Sequence, residues 1–552
     1  GVIDLEGGGG DGSGCNLHCS ADLHYVLDCN DKVVKMCPSD QGCGAGGTCV
    51  AACDSAKANK STVGCDYYAV DPGTDGEANG SCFAAYIANT WTSDVTLAVE
   101  YNGQPLNIAN LARIPSGQGQ SITYAPLPNG KLPAGQLAIL FLADAQLGVP
   151  LPTHCPPGVT AGFTASEASS EQTAIVHGFH ITSSAPVVAY DIFPYGGSLS
   201  YISSATLLVP TTAWDTNYIA VDGFAKSQAA GATAQPFIEV TAAEDGTTVT
   251  ISPTAAIVGG MGVAGTGAGV PHTYNLNRGE VLQLKQDAEL NGSPIQSNKP
   301  IGVWGGNSCM NIDVTNTACD SAHQQIFPVK ALGNEYVAVR YRNRVNGMEE
   351  APPWRVLGAV NGTTLQWDPA PPPGAPTTLQ QGQLAMFYAP GPFSVKSQDA
   401  QHPFYMAGHM GGQDFHNMSY GTGDPEYVNV IPPQQYLASY VFMTDPTMAN
   451  TNLVLVRSKA KDGTFKDVTL DCLGKVTGWT PVGTKGLYES TRVDLVVNGQ
   501  PNGNCNNGRH EIHSDAGFGL TVWGWDSYVS YAYPSGASVQ PINTVVVPPN
   551  PR

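Results

Sequence analysis

The histidines of this chain come in close pairs, and imidazoles beside a carboxylate are common raw material for a metal or hydrolytic centre. His510-Glu511-Ile512-His513 sets two imidazoles three positions apart around an acid. In a strand those two positions face opposite sides of the sheet, so the pair does not converge. His177 and His180 share the spacing and the fault. His409 and His416, with Asp414 between them, converge only if their Met-Gly-Gly-Gln loop folds back. The turn Asp71-Pro-Gly-Thr-Asp75-Gly-Glu77 has carboxylates and a glycine in the manner of a calcium loop. Where a complete EF-hand supplies a bidentate Glu, this chain has Cys82. Asp71, Asp75 and Glu77 are the candidate ligands of a partial calcium site; the alternative is an acidic connecting turn. No other cofactor is implied. Nucleophile elbows, P-loops and H-E-x-x-H are absent from the sequence.

Fourteen cysteines are an even number, and nine of them fall within the first 82 residues. A segment of that size with few large apolar residues needs staples, so a disulfide framework in an oxidising compartment is the natural reading. Zinc is the competitor, but the C-x2-C pairs usual in structural zinc sites do not occur; the nearest spacings are Cys15/Cys19 and Cys49/Cys53. The later cysteines suggest pairs by position: Cys82 with Cys155, Cys309 with Cys319, Cys472 with Cys505. The eight from Cys15 to Cys65 would bond among themselves in an unspecified order.

Only 13% of the residues are charged, while Gly (64) and Pro (41) are abundant. Helices normally expose Glu, Lys and Arg; a chain this poor in them favours short strands and tight turns, so an all-β fold is predicted. The net charge of −20 opposes binding to nucleic acid, whose phosphates demand clustered Lys and Arg, and no basic stripe stands out. No apolar run reaches the ~18 residues of a membrane span. The chain reads as a mature exported protein, extracellular or on the cell surface, whose signal sequence has been removed.

A degenerate repeat organises the rest. Its opening phrase is a Pro followed eight residues later by Tyr: Pro210/Tyr218, Pro328/Tyr336 and Pro432/Tyr440. A middle phrase joins a hairpin turn to a strand, EDGTTVTISP from Glu244 and NGTTLQWDP from Asn361. Then comes L-x-x-G-x-[LV], from Leu132, Leu276 and Leu379. Each unit closes on an apolar strand with a glycine-rich exit: PVVAYDIFPYGG, KPIGVWGG, HPFYMAGHMGG and FGLTVWGWDSY. The spacing, about 100 to 115 residues, suits a β-sandwich and exceeds the roughly 40 to 50 of a propeller blade. The tryptophans near the closings, Trp304, Trp523 and Trp525, and Trp354 and Trp367 in the third unit, are read as core in preference to sugar platforms.

The predicted layout is four tandem β-sandwich-like repeats preceded by a small disulfide-rich module. Its parts are a flexible or strand-donating tail 1–14, a cysteine-rich module 15–82, repeats at 83–204, 205–323, 324–426 and 427–535, and a C-terminal strand or tail 536–552. The tail PINTVVVPPNPR suits a strand added to a sheet edge, in its own chain or in a neighbour's.

The order KPIGVWGGNSCMN, a short loop, then ACDSAHQQIFPVKALGNEYVAV resembles the N-terminal domain family of IgGFc-binding proteins. The resemblance rests on the strand Pro300–Gly306, the Cys309/Cys319 loop, His323, Pro328 and the Tyr-containing strand after it, and extends more weakly over 180–530. It implies an extracellular, non-enzymatic binding or matrix-building role, and it carries no motif of binding residues onto this chain. Two functions follow. One is a structural or adhesive protein that assembles into a fibre or matrix through terminal strands. The other is a monomeric adhesin for a glycan or an extracellular protein. A third reading, apart from the resemblance, is a secreted hydrolase with a cleft of converging acids or a metal held by His409 or His510.

Overall fold

In the computed structural model the glycine of each L-x-x-G-x-[LV] phrase sits in the left-handed region, Gly135 at φ 69°, Gly279 at 80° and Gly382 at 71°. Each turns the chain into the next strand: Leu137–Ala143, Glu280–Lys285 and Leu384–Tyr388. The hairpin glycines Gly246 and Gly362 are left-handed too. The structure describes residues 17–550 apart from 21, 31, 74, 75, 77, 151, 228–233, 313–318, 346 and 416–419, so the tail 1–14 lies outside the described residues.

The fold is all-β. The first repeat, joined by Val63–Ala69, forms one ten-stranded sheet; the second forms an eight-stranded sheet that takes its edge strand, Ala174–His177, from the first; the third forms two four-stranded sheets and the fourth a nine-stranded sheet. In the third repeat Tyr336, Trp354, Trp367, Phe387, Phe393 and Phe404 fill a core between its two sheets. The strand Val63–Ala69, inside the cysteine-rich segment, pairs with the long strand Phe179–Phe193 of the first repeat. A boundary at residue 82 therefore divides strands of one sheet, because pairing across a sheet leaves no mark in the linear spacing of cysteines. The rest of the cysteine-rich segment carries a three-stranded sheet, a hairpin and the helix Ala52–Asn59. Cys19–Cys43, Cys37–Cys49 and Cys53–Cys65 staple it, and Trp91 Nε1 donates to the Ser39 carbonyl at 2.7 Å to seat it on the first repeat.

The Pro-to-Tyr phrase has a structural reason. The Tyr218 hydroxyl accepts from the amide of Asp215 and donates to the carbonyl of Ile301 at 2.8 Å. Tyr336 does the same with Gly333 and Phe404, and Tyr440 with Leu437 and Phe518. The first repeat has its own copy: Tyr67 donates to the Val187 carbonyl at 2.6 Å. Each buried phenol ties the opening strand of a repeat to its closing strand.

The repeats are consecutive in sequence and circular in space. Each closing strand turns back into a short inner strand: Ser204–Leu207, Asp320–Gln325, Glu426–Asn429 and Val529–Pro534. The four inner strands pack first to second, second to third, third to fourth and fourth to first, closing a ring. Side chains stitch it. Gln324 donates to the carbonyls of Ala205 and Ala532, Asn429 to that of Gln325, and the Ser530 amide to Asp320. One continuous apolar core runs from the first repeat to the fourth.

Gly305, in the closing phrase of the second repeat, lies against this ring. A Cβ there would stand 1.6 Å from the Val221 carbonyl oxygen, so no larger residue fits without moving backbone.

The C-terminal segment is held by its own chain. The Ser538 amide donates to Gln435 in the fourth repeat, the Ile542 amide to Lys330 in the third, and Val547 to Asn217 in the second; Val539 and Ala537 bond to Lys60 and Thr62 beside the first. Val545 and Val547 are buried. The segment is a strap across all four repeats.

Candidate binding cleft

Arg340, Arg342 and Arg344 follow one another at every second position after the strand Glu335–Ala338. All three line a cleft of about 620 Å³ between the third and fourth repeats. Arg492, from the strand Tyr488–Val497, is the fourth guanidinium there, and Asn343, Glu349, Asp494, Val497 and Asn498 complete the lining. Four of the 25 basic residues in a chain of net charge −20 thus converge on one cavity, against the carboxylates of Glu349 and Asp494 in its described lining and of Glu350 beside Arg344.

The guanidiniums are held in place. Arg342 donates Nε to Asp494 at 2.8 Å and Nη2 to Asn450 at 2.7 Å, and lies 4.8 Å over the Trp525 ring. Arg344 pairs with Glu350 at 3.0 Å, donates to the carbonyls of Gly411 and Thr422, and stacks 4.2 Å over Tyr420. Its Nη2 is buried and has no hydrogen-bond partner among the described residues. Arg340 donates to the carbonyls of Pro390 and Tyr341. Arg492 donates Nε to the Arg340 carbonyl at 2.7 Å. Partial burial, then the like charge of Arg340, pushes the Arg492 guanidinium down to about 10. Such a cluster favours an incoming anion, because an anion relieves the repulsion and fills the donors left over.

The sequence signal was the alternation of Arg340, Arg342 and Arg344. It escapes a search for a basic stripe because three charges are few, and the fourth comes from 150 positions further along.

The residues singled out from sequence are dispersed. His510 is buried and spends both ring nitrogens, on Asp471 at 2.9 Å and on the Asn506 carbonyl at 2.7 Å, while His513 is exposed on the other face of its strand. Asp471, Cys472 and His510 lie close enough to suggest a metal set, but Cys472 is bonded to Cys505, so no thiolate is available. His180 sits between Asp66 and Glu100, at 3.0 and 3.1 Å. His409 is buried against Tyr427 and Phe224, where desolvation holds its imidazole well below the ordinary range; Asp414 is exposed and His416 lies outside the described residues. Asp71 is buried and accepts from the Gly73 amide at 3.0 Å; burial, then the nearby Glu167 carboxylate, raises its carboxyl well above the usual range. Asp75 and Glu77 lie outside the described residues. Cys82 is joined to Cys155 and Cys309 to Cys319. Trp304, Trp354, Trp367, Trp523 and Trp525 are buried in the core.

The motif carrying the family resemblance finds its place in the ring. His323 is fully buried and joins the second repeat to the first: Nε2 meets Asp191 at 2.6 Å and Nδ1 meets Ser204 at 3.1 Å.

These features define an all-β, disulfide-bonded repeat scaffold that presents a charged cleft between units. Residues 204–524, more than half of the chain, match the family model described as IgGFc binding protein, and the chain belongs to that family of binding proteins. A comparison with curated proteins found no match. Among the described residues no helix is long and apolar enough to cross a membrane.

Proposed function

We propose that this protein works outside the cell as a non-enzymatic binding protein, and that it takes an anionic ligand in the cleft between its third and fourth repeats. The convergence of Arg340, Arg342, Arg344 and Arg492 carries this reading. Family membership and a disulfide in every repeat but the third support the extracellular setting. The test is chromatography of the full chain on a sulfate-bearing matrix at pH 7 and low salt. The expected result is retention despite the net charge of −20, with earlier elution of Arg492→Glu; co-elution of variant and parent removes the cleft from the reading.

Assembly into a fibre or matrix is the second reading, favoured by the strand Val33–Met36. It lies at the edge of its sheet, and Val33, Val34 and Met36 are 53%, 56% and 65% exposed. Open apolar edge strands recruit further strands. The C-terminal segment would have to leave its own chain before serving another.

A further inference from the structure

We propose that the arginine cleft selects an acidic saccharide, a sugar chain bearing carboxylate or sulfate groups, an inference that rests on the binding role just given to the cleft. Three features of the lining narrow the ligand. The first is the fixed orientation of the guanidiniums. Arg342 and Arg344 are stacked on Trp525 and Tyr420 and anchored to Asp494 and Glu350. Planar forks held in this way recognise carboxylate or sulfate oxygens.

The second is the absence of apolar anchorage. Among the described residues Val497 is the one aliphatic side chain in the lining, and the two neighbouring aromatic faces are already covered by guanidiniums. Peptide ligands derive most of their affinity from apolar or aromatic side chains seated in pockets, and this cleft provides no such pocket. A volume of about 620 Å³ is that of a site for a compact polar ligand.

The third is the mixture of acceptors among the donors. Glu349 and Asp494 bring carboxylates into the cleft, and Asn343 and Asn498 bring amides. A bare sulfate has no proton to offer these groups and would be repelled by the acids. A ligand that carries hydroxyls beside its negative groups satisfies both sets, and an acidic sugar is such a ligand.

The test is isothermal titration of the full chain at pH 7 and constant ionic strength with three probes: a hexagalacturonate, a heparin-derived sulfated hexasaccharide and hexaglutamate. Two variants accompany it. Arg492→Gln removes one charge from the cleft lining, and Asn498→Asp keeps a residue tolerant of the left-handed turn at φ 50° while adding a negative charge to the rim. At least one saccharide should bind tenfold or more tighter than hexaglutamate, and each variant should weaken it about tenfold, the worth of one charge-assisted hydrogen bond. Which saccharide binds tells carboxylate from sulfate. Hexaglutamate binding as tightly as the saccharides, and weakened by the same variants, overturns the saccharide while leaving the cleft as an anion site. Saccharide binding untouched by both variants overturns the cleft reading and this inference with it, and so does a lack of binding by all three probes; binding of hexaglutamate alone overturns the saccharide only. Circular dichroism of both variants, matching the parent, shows that the fold is intact.

Discussion

The side-chain amide of Asn217 and the main chain of Val547 exchange two hydrogen bonds, Nδ2 to the carbonyl at 2.8 Å and the amide to Oδ1 at 2.8 Å. Asn217 thus plays the part of a strand for a segment 330 positions away. This bond pair fastens the far end of the strap to the second repeat, after the strap has crossed the fourth and the third.

Asn217→Ala should therefore cost about 1–3 kcal/mol, the range for losing buried hydrogen bonds and orphaning their partners. Denaturant melts measure the loss. Limited proteolysis should show cleavage near residues 541–550 before the rest of the chain yields; a strap that stays as resistant as in the parent contradicts its dependence on Asn217.

Tyr67, Tyr218, Tyr336 and Tyr440 occupy one role in four repeats. Each Tyr→Phe change should cost about 1–3 kcal/mol, since it leaves a buried carbonyl on the closing strand without its donor. The sites are in separate repeats, so pairs of changes should add to within about 0.5 kcal/mol. Thermal unfolding of the four single and selected double variants checks both the size and the additivity.

Stability should fall as pH rises from about 4 to about 8. Burial pushes the Asp424 carboxyl up to about 7 and that of Glu239 up to about 8, whereas both are near ~4 in an unfolded chain. Across that window the folded state holds protons that the unfolded state has released, so the unfolding free energy decreases with pH. Asp320 and Glu426, raised by burial, act in the same direction; His409, held neutral by burial, opposes them below its ordinary range. Urea midpoints at pH 5 and pH 8 give the sign directly. In Asp424→Asn the slope should become shallower.

The exposed strand Val33–Met36 makes its own prediction. If it supports association, sedimentation velocity of the parent should show species larger than the monomer at high concentration, and Val34→Lys should remove them, because a charge on an open edge opposes further pairing. A parent that stays monomeric at all concentrations ends the assembly reading.

Removing the bridge Cys82–Cys155, which closes a loop of 73 residues, should lower stability by about 4 kcal/mol in the chain-entropy account. The double variant Cys82→Ser/Cys155→Ser, compared with the parent under non-reducing conditions, measures it.

Much of this was legible in the residues. Low charge with abundant Gly and Pro set an all-β fold, and the recurring glycines marked turns that are left-handed in the structure, since only local backbone preferences are involved. The eight-residue spacing of Pro and Tyr showed in three of the units but hid its purpose: each hydroxyl, with that of Tyr67, reaches a carbonyl 68 to 120 positions away in the chain. The arginine cleft was half visible. Arg340, Arg342 and Arg344 advertise themselves by alternation, while Arg492 gives no local sign.

Sequence alone determined what each segment becomes, because turn geometry, strand alternation and cysteine supply depend on neighbours along the chain. The tertiary structure decided that the row of repeats closes on itself, that His323 joins Asp191 across two of them, that the C-terminal strap spends its valines at home, and that a strongly acidic protein has a basic cleft. Each of these rests on groups far apart in the chain meeting in space, and the energy that selects such meetings comes from burying surfaces whose partners no local pattern names.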